Sequence, residues 1–535
     1  MISYYGDKKY KSRDELLSAL NQAEVISVDT ESDDDIFLGV AIAWSPTEAL
    51  FVSSVDLSSV INALSKLPCI MHNATYDSNI FHKLPPYYIQ TKCRWDSMLM
   101  AQACGYPAAL KDLSYEFNFD HKLITSLLYS DAGVKIKGKT LSDCNINDVA
   151  LICCQHAIGA YKIWLALKDK APKSYELDME LMPTIMAMHD RGIRVNPILA
   201  KEKAVKLEED IADIKKQCEV MGFNPASPRQ IGIALSEEGI SLGFNRKSGM
   251  MKTDEEALMS IYDRSRIPSM VLKYREISKI YSTYVKPLIN IDRIYPKYHI
   301  VSTGRFASSP NVQNIPKSLR DLYLPDNGDF FWSIDAHQIE PRIMAWLSQD
   351  PQMLNDVLTG DIYTPIAERY HIARYTAKQL VLASSYGAGA TKLVETSRRR
   401  GDVISLEEAE ELLVAYFKTY ARYAEWKEET ERQAEADGYT TTIYGRVRTL
   451  EGMLQGEEID YNPLLKVVNT KVQGSAADIL KLAMLRFQEE KISTTIHDEI
   501  LISTNETIHI DRLDGLCDIP LIWKCKTGSN WGEIE

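Results

Sequence analysis

Apolar and polar positions divide the 535 residues into stretches of different period. The chain opens strand-rich to about residue 120, then turns helical, and the polar, proline-containing run DKAPKSYELD near 169–178 reads as a boundary. A long helical stretch is predicted over 176–220. FNPASPRQ and NRKSGMMKTDEEAL mark loops between the next helices, with Asp254 as an N-cap. Helices are predicted over roughly 351–437, the last ending at Gly438, and strands follow. The sequence contains no internal repeat or low-complexity tract.

Two acidic clusters break this pattern. Asp335 in FFWSIDAHQIEPRIMAW and Asp498–Glu499 in STTIHDEILIS each interrupt an apolar, strand-like run. A carboxylate there is costly to desolvate unless cations or hydrogen bonds compensate it, which implies a shared metal site. Between the clusters, RYTAKQLVLASSYG spaces Arg374, Lys378, Leu382 and Tyr386 four residues apart, so a helix presents them on one face. Cations suit a polyphosphate, a ring suits a flat base, and paired carboxylates suit two metals in an in-line displacement. The combination reads as nucleotidyl transfer.

At these residues the chain resembles the family A DNA polymerases. STGRFASSPNVQNIP (302–316), YGRVRTL (444–450), KVQGSAADILK (471–481) and NWGE (530–533) also look like family segments, in family order. The resemblance implies α/β and α+β multidomain architecture: a ribonuclease-H-like exonuclease domain over 1–172, then a right-hand polymerase. The thumb would span 173–292, the palm 293–350 and 438–535, and the fingers 351–437. Asp335 and Asp498, helped by the Ala336 carbonyl, would ligate two Mg²⁺ ions, with Glu499 an accessory acid. Glu340 would be the steric gate that favours deoxynucleotides. Arg374 would hold the γ-phosphate and Lys378 the α/β region, with Lys378 also a proton donor to pyrophosphate. Tyr386 would stack near the templating position; Leu382, Gln338 and His497 would complete the nucleotide site. Arg305, Asn469 and Gln473 would touch the minor groove, whose acceptors are alike for all correct pairs. Departures from the family are Leu382 for an aromatic residue, Ala336 and His337 beside the first acid, Pro341 for Leu, and Leu465 for a primer-contacting Arg.

A second acidic constellation lies in the first third. Asp29 and Glu31, two apart on a presumed strand, project from one face. Asn73 and Asp77 follow, and Asp96 reads as a helix-capping residue or as one that supports the ligands from behind. This resembles the family's 3′→5′ proofreading exonuclease, in which two metals activate water. Where the pattern has a fourth Asp, preceded by a Tyr, this chain carries His156 and Ile152. Imidazole prefers borderline metals to Mg²⁺. A ligand and a residue of a decayed site are equally open for His156, and Asp148, eight residues upstream, is a candidate substitute.

Composition changes the picture little. Apolar content of 45% with 25% charged residues is ordinary for a globular chain. A net charge of −13 argues against indiscriminate polyanion binding, so DNA contact must come from local basic surfaces. Lys273, Arg275 and Lys279 with Tyr281 and Tyr284 form one candidate, and SRRR at 397–400 another. Nine Cys residues without CxxC pairs read as reduced thiols, and no structural metal is expected. No bilayer-spanning run and no signal core is read, so a cytosolic, monomeric protein is expected. Its partners would be primer-template DNA, deoxynucleoside triphosphates and accessory replication proteins. The compact layout suggests a phage-encoded member. Each signal alone has a bland reading: DxE as a solvated strand end, Arg374 and Lys378 as an exposed helix face, Tyr281 and Tyr284 as partial core, His72 and His299 as structural. Their order along the chain favours a polymerase over a dedicated nuclease or a noncatalytic primer-template binder.

Overall fold

The protein's computed structural model describes residues 2–8, 10, 12–33, 36–83, 91–121, 140–245, 249–386, 389–398, 402, 404–454 and 462–534. Its first part is a six-stranded mixed sheet in the order Ile2–Tyr5, Ala49–Ser53, Ile36–Ala43, Ile26–Asp33, Pro68–Met71, Lys92–Asp96. The first three junctions are antiparallel and the last two parallel. Its strands end at Asp96, earlier than the sequence pattern indicates, and the chain then enters the short helix Ser97–Ala103. The helix Ile146–Leu167 packs across this sheet, its Ala150, Cys153, Cys154 and Ala157 against Ala41, Ala43, Ala49 and Phe51. Small side chains on both surfaces allow that close approach. By length and apolar content this helix could cross a membrane, contrary to the sequence expectation, but most of it is buried in the protein.

The expected helical stretch 176–220 is two helices, Lys173–Arg191 and Pro197–Val220, separated by the short strand Ile193–Val195. Gly192 is the cause. It sits at φ +62°, and a Cβ there would collide with the carbonyl oxygen of Ile294. Asn196 then caps the next helix by accepting from Leu199 N at 3.1 Å, with Pro197 in its first turn. Asp254 caps its helix through Ala257 N at 3.0 Å, and Gly438 closes the helix Ala421–Asp437 at φ +78°, both as the sequence indicates.

The last part carries a four-stranded antiparallel sheet in the order Ile492–Ile496, Glu499–Thr504, Phe330–Ala336, Trp523–Gly528. Phe331, Ile334, Ile500 and Ile502, drawn from both faces of this sheet, join a core that also contains Leu181 and Ile185 of the helix Lys173–Arg191. That helix is fixed by charge as well as by apolar contact. Asp178 accepts from Arg446 Nη2 and from Lys481 Nζ, both at 2.6 Å, while Arg446 Nε lies 3.8 Å from Asp478. All four side chains have no solvent exposure. The cluster ties the helix Lys173–Arg191 to the helix Val467–Arg486 and to the turn between Tyr439–Thr441 and Val447–Thr449. Gly304, at φ +85°, lies against it, and a Cβ there would stand 2.8 Å from Arg446 Nε, so the loop carrying Arg305 rests directly on the cluster.

Removing one partner of a buried ion pair leaves an uncompensated charge. Asp178→Asn should therefore lower unfolding free energy by about 3–5 kcal/mol in a urea titration; a loss under about 1 kcal/mol would mean that Asp478 and solvent suffice for both cations.

Candidate active site

The strand register brings the two distant acids together. In the ladder between Phe330–Ala336 and Glu499–Thr504, Asp335 pairs with Glu499, and Ala336 N donates to the Asp498 carbonyl at 3.1 Å. His497, at φ +53°, makes the turn that delivers Asp498. Gln338, at φ +54°, leads into the helix Ile339–Ser348. Among the described residues, neither Asp335 nor Asp498 has a side-chain hydrogen bond or ion pair. Burial, then Glu340, pushes the Asp498 carboxyl up to about 7, with Asp335 adding to the shift against Arg305. Burial also raises Asp335, opposed by His337, Lys524 and Lys526. Two adjacent carboxylates that resist ionisation are a donor set for hard divalent cations.

The neighbouring side chains are already engaged. Glu499, expected as an accessory acid, accepts from Ser333 Oγ at 2.5 Å and lies 3.6 Å from Arg320, whose guanidinium covers Trp531 at 4.6 Å. Glu340, the expected gate, stands in the first turn of its helix and accepts from Arg305 Nη2 at 2.9 Å. Arg305, expected to touch DNA, is thus committed to Glu340 in the free protein. Asn469 and Gln473 share a half-buried face of the helix Val467–Arg486. His337 Nε2 lies 3.2 Å from Lys524 Nζ, on the strand opposite Asp335.

Arg374 begins the helix Arg374–Tyr386, with Lys378 exposed and Leu382 half-buried along the same face; the Tyr386 side chain lies outside the described residues. Arg374 is joined to Asp361, a residue the sequence reading missed, through Nε at 2.7 Å and Nη2 at 3.0 Å. Lys273 and Lys279 are exposed on the helix Ile267–Lys279, but Arg275 is spent internally on Thr253. Tyr281 donates to Glu208, and both Tyr281 and Tyr284 pack against the core. Of the SRRR run, Ser397 is buried and Arg398 ends the helix Ala390–Arg398; Arg399 and Arg400 lie outside the described residues.

The second acidic group converges too. Asp29 and Glu31, on the strand Ile26–Asp33, lie 3.6 and 3.7 Å from Nδ1 of the buried His156. Nε2 of His156 meets His121 Nδ1 at 3.1 Å, with the two rings stacked 5.0 Å apart. Burial, then Asp29, pushes Glu31 up to about 8; burial alone would lower His156, but the two carboxylates outweigh it and raise it. Cys153 adds a sulfur within 4.8 Å of ligand oxygens of both acids, one turn before His156 on the same helix. Asp77, fully enclosed, accepts from Thr30 N at 2.9 Å and Thr30 Oγ1 at 2.6 Å, which anchors it to the strand between the two acids. Asp96 caps the helix Ser97–Ala103 and also takes Ala74 N at 2.7 Å, while Asn73 sits at φ +69°. Asp148 does not substitute for the missing acid: it is in the first turn of the helix, about 12 Å along the axis from His156. Ile152 is core. His72 is structural, its ring nitrogens meeting Ser97 Oγ at 2.9 Å and the Ala108 carbonyl at 2.8 Å, whereas His299 is exposed. All nine cysteines are free thiols, as their spacing indicates.

The chain has the fold of a solved structure, the POL domain of Pol1 from M. smegmatis in complex with DNA primer-template and dNTP. The TM-score is 0.78 at 22% identity, over 98% of this chain and 99% of that one. The sequence profile of DNA polymerase family A matches residues 198–533, and the chain belongs to that family. Its curated relatives include DNA polymerase I of Synechocystis sp., 29% identical over 95% of this chain, and of Borreliella burgdorferi, 26% identical over 98%. DNA polymerase theta of Caenorhabditis elegans is 26% identical over 68%. The chain spans 60% and 64% of the lengths of the two DNA polymerase I relatives.

Because folding raises the Asp498 pKa, the cost of ionising it is absent below its ordinary value near 3.8 and fully present above about 7. In metal-free buffer, Asp498→Asn should therefore stabilise the chain at pH 8 by on the order of 2–4 kcal/mol, and by less than half of that at pH 5. Denaturant midpoints at the two pH values check this; a pH-independent difference would contradict the assigned shift.

Proposed function

We propose that this chain is a template-directed DNA polymerase that adds deoxynucleotides to a primer 3′ end. The observation that carries it is the pair of uncompensated carboxylates, Asp335 and Asp498, beside a helix that presents Arg374 and Lys378. Membership in DNA polymerase family A supports the reading. Asp335, Asp498 and the Ala336 carbonyl would hold two divalent ions, Mg²⁺ by the hardness of the oxygen donors. When bound, such ions lower the pKa of the primer hydroxyl and offset charge on the departing pyrophosphate.

The rest falls to the chain's own groups. Arg374 and Lys378 bind the triphosphate by charge-assisted hydrogen bonds, and Lys378 is placed to give a proton to the leaving pyrophosphate. Glu340, braced by Arg305, limits space at the sugar and so disfavours a 2′-hydroxyl. Leu382 supplies apolar contact without a ring, and Gln338 and His497 shape the edges of the nucleotide site. Asn469 and Gln473 lie along a helix face suited to the minor groove, which Arg305 can reach only by leaving Glu340. Lys273 and Lys279 would meet phosphates of the duplex. In this layout residues 1–172 form the nuclease-like domain, 173–292 the thumb, 293–350 and 438–535 the palm, and 351–437 the fingers.

A second activity, 3′→5′ exonuclease, is supported by the convergence of Asp29 and Glu31 on one strand face. The residues do not fit a pair of Mg²⁺ ions held by carboxylates alone. The His156 imidazole stands 3.6 and 3.7 Å from the two acids, and the Oδ1 atom of Asp77 is committed to Thr30. Asp29, Glu31 and the His156 nitrogen suit one cation, of the borderline kind that accepts imidazole.

Extension of a labelled primer with Mg²⁺ and four deoxynucleotides should fall at least about 10³-fold in Asp335→Ala, because the first carboxylate is lost where charge develops. Undiminished extension would refute the assignment. On the same gel, primer shortening without nucleotides should be slow and should vanish in Asp29→Ala; shortening that persists would place the nuclease elsewhere.

A further inference from the structure

Asp361 gathers more donors than its neighbours. It lies just before the helix Tyr363–Tyr370 and accepts from Arg374 Nε at 2.7 Å, Arg374 Nη2 at 3.0 Å, Thr364 Oγ1 at 2.7 Å and Tyr363 N at 3.3 Å. The side-chain amide of Gln338 donates to it as well, and Gln338 Oε1 accepts from Ile362 N at 3.1 Å. Burial would raise this carboxyl, but the hydrogen bonds from Arg374, Thr364 and Gln338 hold it well below the usual range, so it is an anion throughout neutral pH.

One carboxylate therefore links three places. Gln338 follows the strand that ends at Ala336, beside Asp335; Asp361 starts the helix Tyr363–Tyr370; Arg374 starts the helix that carries Lys378. Arg374 is further pinned by the ring of Tyr363, whose centre is 5.3 Å from the guanidinium carbon. The side chains of Arg374 and Asp361 are 53% and 30% exposed, so the pair adds little to stability. What it fixes is direction. With Nε and Nη2 turned to Asp361, Nη1 has no hydrogen-bond partner among the described residues and is the edge left to meet an incoming anion. An exposed arginine otherwise spreads over many rotamers, and ordering it at the moment of binding weakens affinity.

We infer that Asp361 is a positioning residue for the nucleotide's phosphates, acting through Arg374 and registered to the metal-binding strand by Gln338. This rests on the reading of Arg374 as a phosphate ligand. Electrostatics alone points the other way, since an anion beside Arg374 repels a triphosphate. Preorganisation outweighs that repulsion, because Asp361 uses only one edge of the guanidinium.

The test is single-nucleotide incorporation by the full chain carrying D361N, R374A or both, with nucleotide binding to the enzyme–primer-template complex measured separately. D361N keeps the side chain's size and removes its charge. It should raise the KM and the Kd for deoxynucleotide about tenfold, leave kcat within about twofold, and leave primer-template affinity unchanged. The double variant should be no worse than R374A, because Asp361 acts only through that arginine. D361E, which keeps the charge, should recover part of the loss, and thermal melts of every variant separate a folding defect from a binding one. A fall in KM for D361N would identify Asp361 as a competing counter-ion and overturn the proposal. So would losses that multiply in the double variant. An unchanged KM in R374A would instead remove Arg374 from the phosphate site, and the proposal with it.

Discussion

The adjacency of Asp335, near the end of its strand, and Asp498, in the turn before the neighbouring strand, is the constraint on which the candidate site depends. Nothing in the chain neutralises either carboxylate by direct contact among the described residues, yet the register between Phe330–Ala336 and Glu499–Thr504 holds both at the same end of the sheet. The ladder sets Ile334 against Ile500 and Asp335 against Glu499, so the register that packs the apolar pairs also fixes where the acids fall. Burial there, then the nearby Glu340, pushes the Asp498 carboxyl up to about 7. The fold stores that unfavourable electrostatics where an external cation can relieve it.

Such a placement needs a rigid frame, and the buried cluster of Asp178, Arg446, Lys481 and Asp478 supplies one. Buried ion pairs seldom add much stability compared with apolar packing, but they penalise any arrangement that separates the partners. Here the partners come from the first helix after residue 172, a turn near residue 444 and the helix Val467–Arg486, so misdocking any of them leaves a bare charge in the core. The loop with Gly304 and Arg305 lies on that frame, and Arg305 in turn braces Glu340 beside the acids. By contrast, the link of Asp361 to Arg374 is partly exposed, so it orients the arginine while adding little to stability.

Much of this was legible in the sequence because the signals were local. Asp335 and Asp498 stood out as charges inside apolar runs; Arg374, Lys378 and Leu382 shared a helical period; Asp29 and Glu31 shared a strand face; Asp96, Asp254 and Gly438 had ordinary capping chemistry. The parts that escaped depend on contacts remote in sequence. Asp178 and Arg446 look like surface charges until the fold brings them together. His121 and Cys153 carry no motif and acquire meaning only beside Asp29 and Glu31. Arg275 has the composition of a DNA contact and the position of a loop brace. The break at Gly192 hid inside a helical pattern, since a glycine is costly but tolerated in a helix and only its close approach to the Ile294 carbonyl decides the matter.

The two acidic groups solve the same electrostatic problem in different ways. Around Asp335 and Asp498, the basic side chains of Lys524, Lys526 and Arg305 act only through space, so the carboxylates remain raised and available. Around Asp29 and Glu31, the chain brings its own cationic group: His156 is held above its ordinary pKa by the acids it faces, with His121 behind it. An imidazolium in that position must lose its proton before its nitrogen can ligate a metal, so cation entry there competes with a proton already bound inside the protein. At the first site an added divalent ion has only the proton of Asp498 to displace, whereas at the second it must displace protons from Glu31 and from the imidazole. That difference, set by one histidine among the carboxylates, is the physical reason to expect a strong dependence on metal in one half of the chain and a weak one in the other.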